Sequence, residues 1–175
     1  MNAYHKSPSV EELHHTEAIL SKCEQLAYTA QSHQDHELIQ RFGSPKQPIY
    51  IDQANIEING ITYNSPLIMP IYDGQLELIQ CAVMQNNKPV QVVPDGMAKG
   101  FAYYGELKHN EPVIITYSLE AFFKIAQTGY AVVLVVLPSL CNQKLTALKP
   151  FDFEQIQFVI QQLQITGFNR LYMPV

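Results

Sequence analysis

The stretch Ala131-Val-Val-Leu-Val-Val-Leu137 constrains this chain more than any other. Seven apolar residues in a row cannot alternate between core and solvent. A strand made of them must be covered on both faces, as strands inside a parallel sheet are. With Tyr130 included the run is still far short of the ~20 residues that a membrane helix needs. The surrounding pattern agrees. Residues 112–116 read as a second buried strand, and residues 119–127 as a short helix with Phe122, Phe123 and Ala126 inward, ended by Thr128-Gly129. Phe153, Ile156, Ile160 and Leu163 mark a second helix ending at Gly167, and residues 170–175 a last strand. Strand–helix–strand–helix–strand within roughly sixty residues predicts a parallel βαβαβ unit.

Upstream the period changes. Ile56, Ile58 and Ile61 flank Asn59-Gly60, the strongest short-range hairpin signal. Residues 67–72 and 76–84 read as strands joined at Asp73-Gly74, and Asn86-Asn87-Lys88-Pro89 turns the chain into Val90-Gln91-Val92-Val93. This is a small antiparallel meander. The first third reads as helical. Ser9 followed by Glu12 is a capping-box pattern, Leu13, Ile19, Leu20, Leu26 and Ala27 fall on one face, and a second helical pattern over 37–42 stops at Gly43. Ser44-Pro45-Lys46-Gln47-Pro48 reads as a linker. The expected organisation is therefore an α/β fold with a helical arm over 1–45, the meander over 46–110 and the parallel unit over 111–175.

Composition narrows the function classes. The chain has 175 residues, 47% of them hydrophobic, which is enough for a sizeable core and too apolar for a disordered chain. Its formal charge is −5, and its 11 basic residues form no stripe. Proteins that coat phosphate backbones draw affinity from clustered Lys and Arg, so that role is disfavoured. Cys23, Cys81 and Cys141 make no CxxC, which fits a reducing cytoplasm and excludes a zinc ribbon. The start MNAYHKSPSVEEL lacks the apolar core of a signal peptide, so a cytoplasmic location without membrane attachment is expected.

Two segments carry a resemblance: Pro66-Leu-Ile-Met-Pro-Ile-Tyr-Asp-Gly-Gln-Leu-Glu-Leu-Ile-Gln-Cys-Ala-Val-Met followed by Gly96-Met-Ala-Lys-Gly-Phe-Ala-Tyr-Tyr-Gly105, and Glu111-Pro-Val-Ile-Ile-Thr-Tyr-Ser-Leu-Glu-Ala-Phe-Phe-Lys-Ile-Ala. In order of elements, over residues 66–175, the chain resembles the primase part of phage and plasmid primase–helicase proteins, in which a meander leads into a Toprim domain. The resemblance implies a Glu-Gly pair after the first parallel strand, the Glu serving as general acid or base. Tyr117 and Ser118 stand at those positions. It also implies an Asp-x-Asp that holds Mg²⁺ after the third strand, where this chain has Arg170-Leu-Tyr-Met-Pro-Val175. Phenol, thioether and proline cannot replace the oxygen ligands a hard cation requires. Glu120 falls on the following helix, and the family's Cys-rich zinc segment is missing.

Three candidate sites follow from the residues. The stretch Lys99-Gly100-Phe101-Ala-Tyr103-Tyr104-Gly105, with Lys108, has one cation and three aromatics in a Gly-flanked segment that could stack unpaired bases. The same residues read more readily as a strand with Phe101 and Tyr103 inward and Tyr104 as a cross-strand filler. Tyr117-Ser118 lies at the carboxyl end of a parallel strand, where α/β sheets bind ligands and the next helix offers backbone N–H groups; Ser118 is also a suitable helix N-cap. His33 and His36 have a spacing compatible with a transition metal, but no Cys or Glu completes the set, so no metal site is expected there.

The leading expectation is a non-catalytic, primase-related accessory protein of a phage or plasmid that uses no cofactor and binds single-stranded nucleic acid or a protein partner. The acidic balance favours the protein. One alternative is an active Mg²⁺-dependent primase or nuclease with a rearranged carboxylate set of Glu106, Glu111 and Glu120. Another is an interaction module forming a homodimer through its arm, where Leu13, Leu20 and Ala27 recur at heptad-like spacing.

Overall fold

A computed structural model describes residues 50–51, 55–94, 96–142 and 147–173. The expected helical arm, with its histidines and Cys23, lies outside the described residues.

Ten strands and two helices are described. β1 (Tyr50–Ile51), β4 (Leu67–Tyr72), β5 (Leu78–Met84) and β6 (Gln91–Val93) form an antiparallel sheet in the order β1-β4-β5-β6. β2 (Asn55–Ile58) and β3 (Ile61–Asn64) form the hairpin expected at Asn59-Gly60. Both turn residues have positive φ, 50° and 78°, and Ile58 faces Ile61 across the two-residue loop. That twist matches the twist of the strands it joins. The turn after β4 is longer than Asp73-Gly74 alone. The Asp73 carboxylate accepts the N–H groups of Gln75 and Glu77 at 2.9 and 3.0 Å, so β5 starts at Leu78 rather than at residue 76.

The second sheet is mixed, in the order β10-β8-β9-β7. β8 (Val113–Thr116), β9 (Ala131–Leu134) and β10 (Leu171–Tyr172) run parallel, and β7 (Ala102–Tyr104) is antiparallel to β9. α1 (Leu119–Ala126) connects β8 to β9, and α2 (Pro150–Ile165) precedes β10. This is the expected βαβαβ unit, with one addition: β7, on the meander side of residue 110, is hydrogen-bonded into it. An antiparallel bridge between Tyr72 and Phe101 links the two sheets.

Three hydrophobic clusters lie between the layers. Ile56, Ile58 and Tyr63 of the hairpin pack on Ile68, Cys81 and Val83 of the antiparallel sheet. The other face of that sheet (Leu67, Met69, Met84) shares a cluster with Phe122 and Phe123 of α1 and with Val132 and Leu134 of β9. The opposite face of the mixed sheet, Val113, Ile115, Val133 and Val135, packs on Ile156, Val159 and Leu163 of α2. β9 is thus covered on both faces, which its unbroken apolar sequence requires. Each fully buried Phe or Leu contributes roughly 1.5–3 kcal/mol relative to exposure, so these shared faces hold the layers together. One of the residues that mark the second helix stays outside the core. Phe153 is 55% exposed, because the buried face of α2 runs through Asp152, Gln155, Ile156, Val159 and Leu163 and leaves position 153 at its flank.

Candidate functional site

The two helices pack on opposite faces of the mixed sheet, and β8 stands between β10 and β9. The carboxyl ends of β8 and β10 are therefore the switch point at which an open α/β sheet forms its crevice. Thr116 ends β8 and is buried, and its Oγ1 accepts the Ser118 N–H at 3.1 Å. Ser118 has extended backbone (φ −110°, ψ 122°), and its hydroxyl oxygen accepts the Ala121 N–H at 3.2 Å. That is an N-cap, and it satisfies one of the free donors of α1 from within the chain. Glu120, in the first turn, accepts from Lys124 Nζ at 2.7 Å. Both side chains are more than half exposed, so the pair adds little stability.

What this edge presents is aromatic and apolar. Tyr117 is 41% exposed, and Tyr172 of β10 and Met173 just after it are 52% and 39% exposed. Phenols and a thioether can stack, hydrogen-bond and exclude water; they do not hold hard cations. Among the described residues no group of three His, Cys, Asp or Glu side chains comes together. The rearranged carboxylate set is split: Glu106 and Glu111 approach Lys108 at 3.7 and 3.6 Å before β8, whereas Glu120 follows it. At ~3.3 Å per residue, a four-residue strand separates them by more than about 13 Å.

The Lys99–Gly105 segment is a strand and its approach, not an open loop. Phe101 has no accessible surface and packs under α2, and Tyr104 is 9% exposed in the core shared by the two sheets. Neither ring can reach an unpaired base. Phe101 and Tyr103 lie on one face and Tyr104 on the other, opposite Val132, as the strand reading expects. Tyr103 is half-buried, edge-on to Tyr72 with ring centroids 4.9 Å apart, and burial raises its phenol pKa above the ordinary value. Lys99 and Lys108 remain exposed, the latter between two glutamates.

Three glutamines that the sequence did not single out hold the turn before β7. Gln80 donates to the carbonyls of Pro94 and Met97 at 2.9 and 3.0 Å and accepts the Lys99 N–H at 2.7 Å. Gln155 donates to the Ala98 carbonyl at 2.8 Å and Gln162 to that of Lys99 at 3.3 Å. A hollow of about 30 Å³, lined in part by Met97, Phe151 and Gln155, lies beside this turn. It has room for about one water, not for a substrate. The last strand, read from the sequence as an edge strand over 171–175, does stand at the sheet edge as β10, where Tyr172 is 52% exposed.

No helix among the described residues is long and apolar enough to cross a membrane. Comparison of the chain with protein-family models, with curated proteins and with solved structures finds no match.

Proposed function

We propose that this chain is a non-catalytic binding domain on a primase-like scaffold, as an accessory protein of a phage or plasmid would use, and that it binds a protein. The carrying observation is the chemistry at the carboxyl edge of the parallel sheet. Where the resembling family implies a catalytic Glu, Tyr117 is exposed and the Ser118 hydroxyl is committed to capping α1. Exposed Tyr172 on β10 and Met173 after it have the same character. Tyr and Met are enriched at protein interfaces, and the rigid Tyr ring adds its area at little conformational cost.

The charge supports a protein over single-stranded nucleic acid. The net charge is −5, and Lys108 is flanked by two glutamates. An electrostatic track for a phosphate backbone needs unbroken positive potential. With Phe101 and Tyr104 inside, the stacking platform that would favour nucleic acid is also reduced.

The test of the non-catalytic reading is an assay for primer synthesis and for strand cleavage with Mg²⁺ and Mn²⁺. The expected result is no product with either metal. Metal-dependent product from the native chain, lost in Glu120→Gln, would overturn the proposal in favour of a rearranged active site.

A further inference from the structure

We propose that Asn59, at the tip of the β2–β3 hairpin, is a site of spontaneous deamidation, and that its isoaspartyl product loosens the hairpin from the antiparallel sheet. Asn59-Gly60 is the only Asn-Gly pair of the chain. In such a pair the amide nitrogen of the glycine can attack the side-chain carbonyl carbon of the asparagine. A C–N bond forms and closes a cyclic imide, and the carboxamide nitrogen leaves as ammonia with the glycine's amide proton. Water then opens the imide at either carbonyl, which gives aspartate or isoaspartate. Water alone is consumed, and asparagine is accordingly among the thermolabile residues.

The fold leaves the attacking nitrogen open here. Ile58 faces Ile61 and closes the two-residue loop, so the Gly60 N–H lies outside the ladder and makes no hydrogen bond among the described residues. Both turn residues are exposed, and a Cβ at Gly60 would meet nothing within 4 Å, so no neighbour hinders the imide. Other asparagines differ. The amides that follow Asn86, Asn87 and Asn110 donate to the carbonyls of Cys141, Gln85 and Lys108 at 2.8, 3.1 and 3.3 Å. Asn55, Asn64 and Asn169 precede Ile56, Ser65 and Arg170, whose side chains crowd the nitrogen that would attack.

The product matters to the hairpin. Asn59 Nδ2 donates to Gln91 Oε1 at 3.2 Å, a tie between the hairpin tip and β6. A carboxylate has no such donor. Isoaspartate also routes the main chain through the former side chain and lengthens it by one carbon. A two-residue loop has no slack for that, and the loop fixes the register of the strands it joins. In that register Ile56, Ile58 and Tyr63 pack on Ile68, Cys81 and Val83.

Peptide mapping of the native chain tests this. On incubation at 37 °C, residue 59 is expected to convert to aspartate and isoaspartate at least tenfold faster than any other asparagine. Conversion should be faster at pH 9 than at pH 7, because the attacking nitrogen must lose its proton. Gly60→Ala sets a methyl beside that nitrogen and should slow conversion at least tenfold. In the isoaspartyl fraction the amides of β2 and β3 should exchange hydrogen at least tenfold faster, with β8 and β9 unchanged. Another asparagine converting first, or residue 59 intact after the same pair in the urea-unfolded chain has converted, would overturn the site. Unchanged exchange in the isoaspartyl fraction would overturn its effect on the hairpin.

Discussion

Gly100 passes so close to Tyr72 that a side chain at position 100 has nowhere to go. A Cβ there would stand 2.8 Å from the Tyr72 carbonyl carbon and nearer still to its oxygen. The approach is fixed by a pair of backbone hydrogen bonds between Tyr72 and Phe101, at 2.8 and 2.9 Å, which join the antiparallel sheet to the mixed one. The glycine of the Lys99-Gly100 pair is thus explained by the joint between two sheets, without reference to a ligand.

Gly100→Ala should therefore cost about 3 kcal/mol, the upper range for forcing extra volume into a packed site, or prevent folding. Gly96→Ala is the control. Gly96 has φ +73° with open space around it, so only the left-handed backbone is penalised, at about 1–2 kcal/mol. Urea unfolding of both variants checks the ranking.

Ser118→Ala should lower stability by about 1 kcal/mol, the cost of losing an N-cap. It should leave any binding by the carboxyl edge within about twofold, since the hydroxyl is engaged with Ala121. A binding loss much larger than the stability loss, measured by thermal unfolding beside a binding isotherm, would make Ser118 a contact residue.

The phenol of Tyr63 donates to the Pro89 carbonyl at 2.6 Å from a fully buried ring. Burial raises its pKa above the ordinary value of 10, and a hydrogen bond with Gln91 acts the other way without cancelling it. The folded chain therefore holds this proton longer than the unfolded chain. The contribution is fully present below about pH 10 and declines as pH rises through the folded-state pKa. Tyr63→Phe should be about 1 kcal/mol less stable at pH 7, with the gap to the native chain narrowing above pH 10. Unfolding curves at pH 7 and 10.5 measure both.

Legibility followed the number of covered faces. The unbroken apolar run at residues 131–137 and the positive-φ pair Asn59-Gly60 each admit few conformations, so β9 and the first hairpin were readable. The helix marked by Phe153 is present, but its buried face was not legible, because a helix packed on a sheet buries a narrow stripe and that of α2 includes Asp152 and Gln155, polar residues a hydrophobic pattern does not count. Asp152 caps the helix by accepting the Lys149 N–H at 2.8 Å, and Gln155 holds the Ala98 carbonyl. The candidate site was legible in position and not in surface. Tyr117 and Ser118 fall at the carboxyl edge as their place after a parallel strand requires. Whether Phe101 faced solvent depended on β4 and α2 coming together, tens of residues away in sequence.

The measurement that bears most directly on the account is fluorescence anisotropy with labelled single-stranded and duplex DNA, with and without Mg²⁺, over a salt series. The account predicts no saturable binding of either form at low salt. Single-strand binding that weakens steeply with salt and is reduced in Lys99→Ala would contradict it, and would place nucleic acid at the β7 face in place of a protein partner.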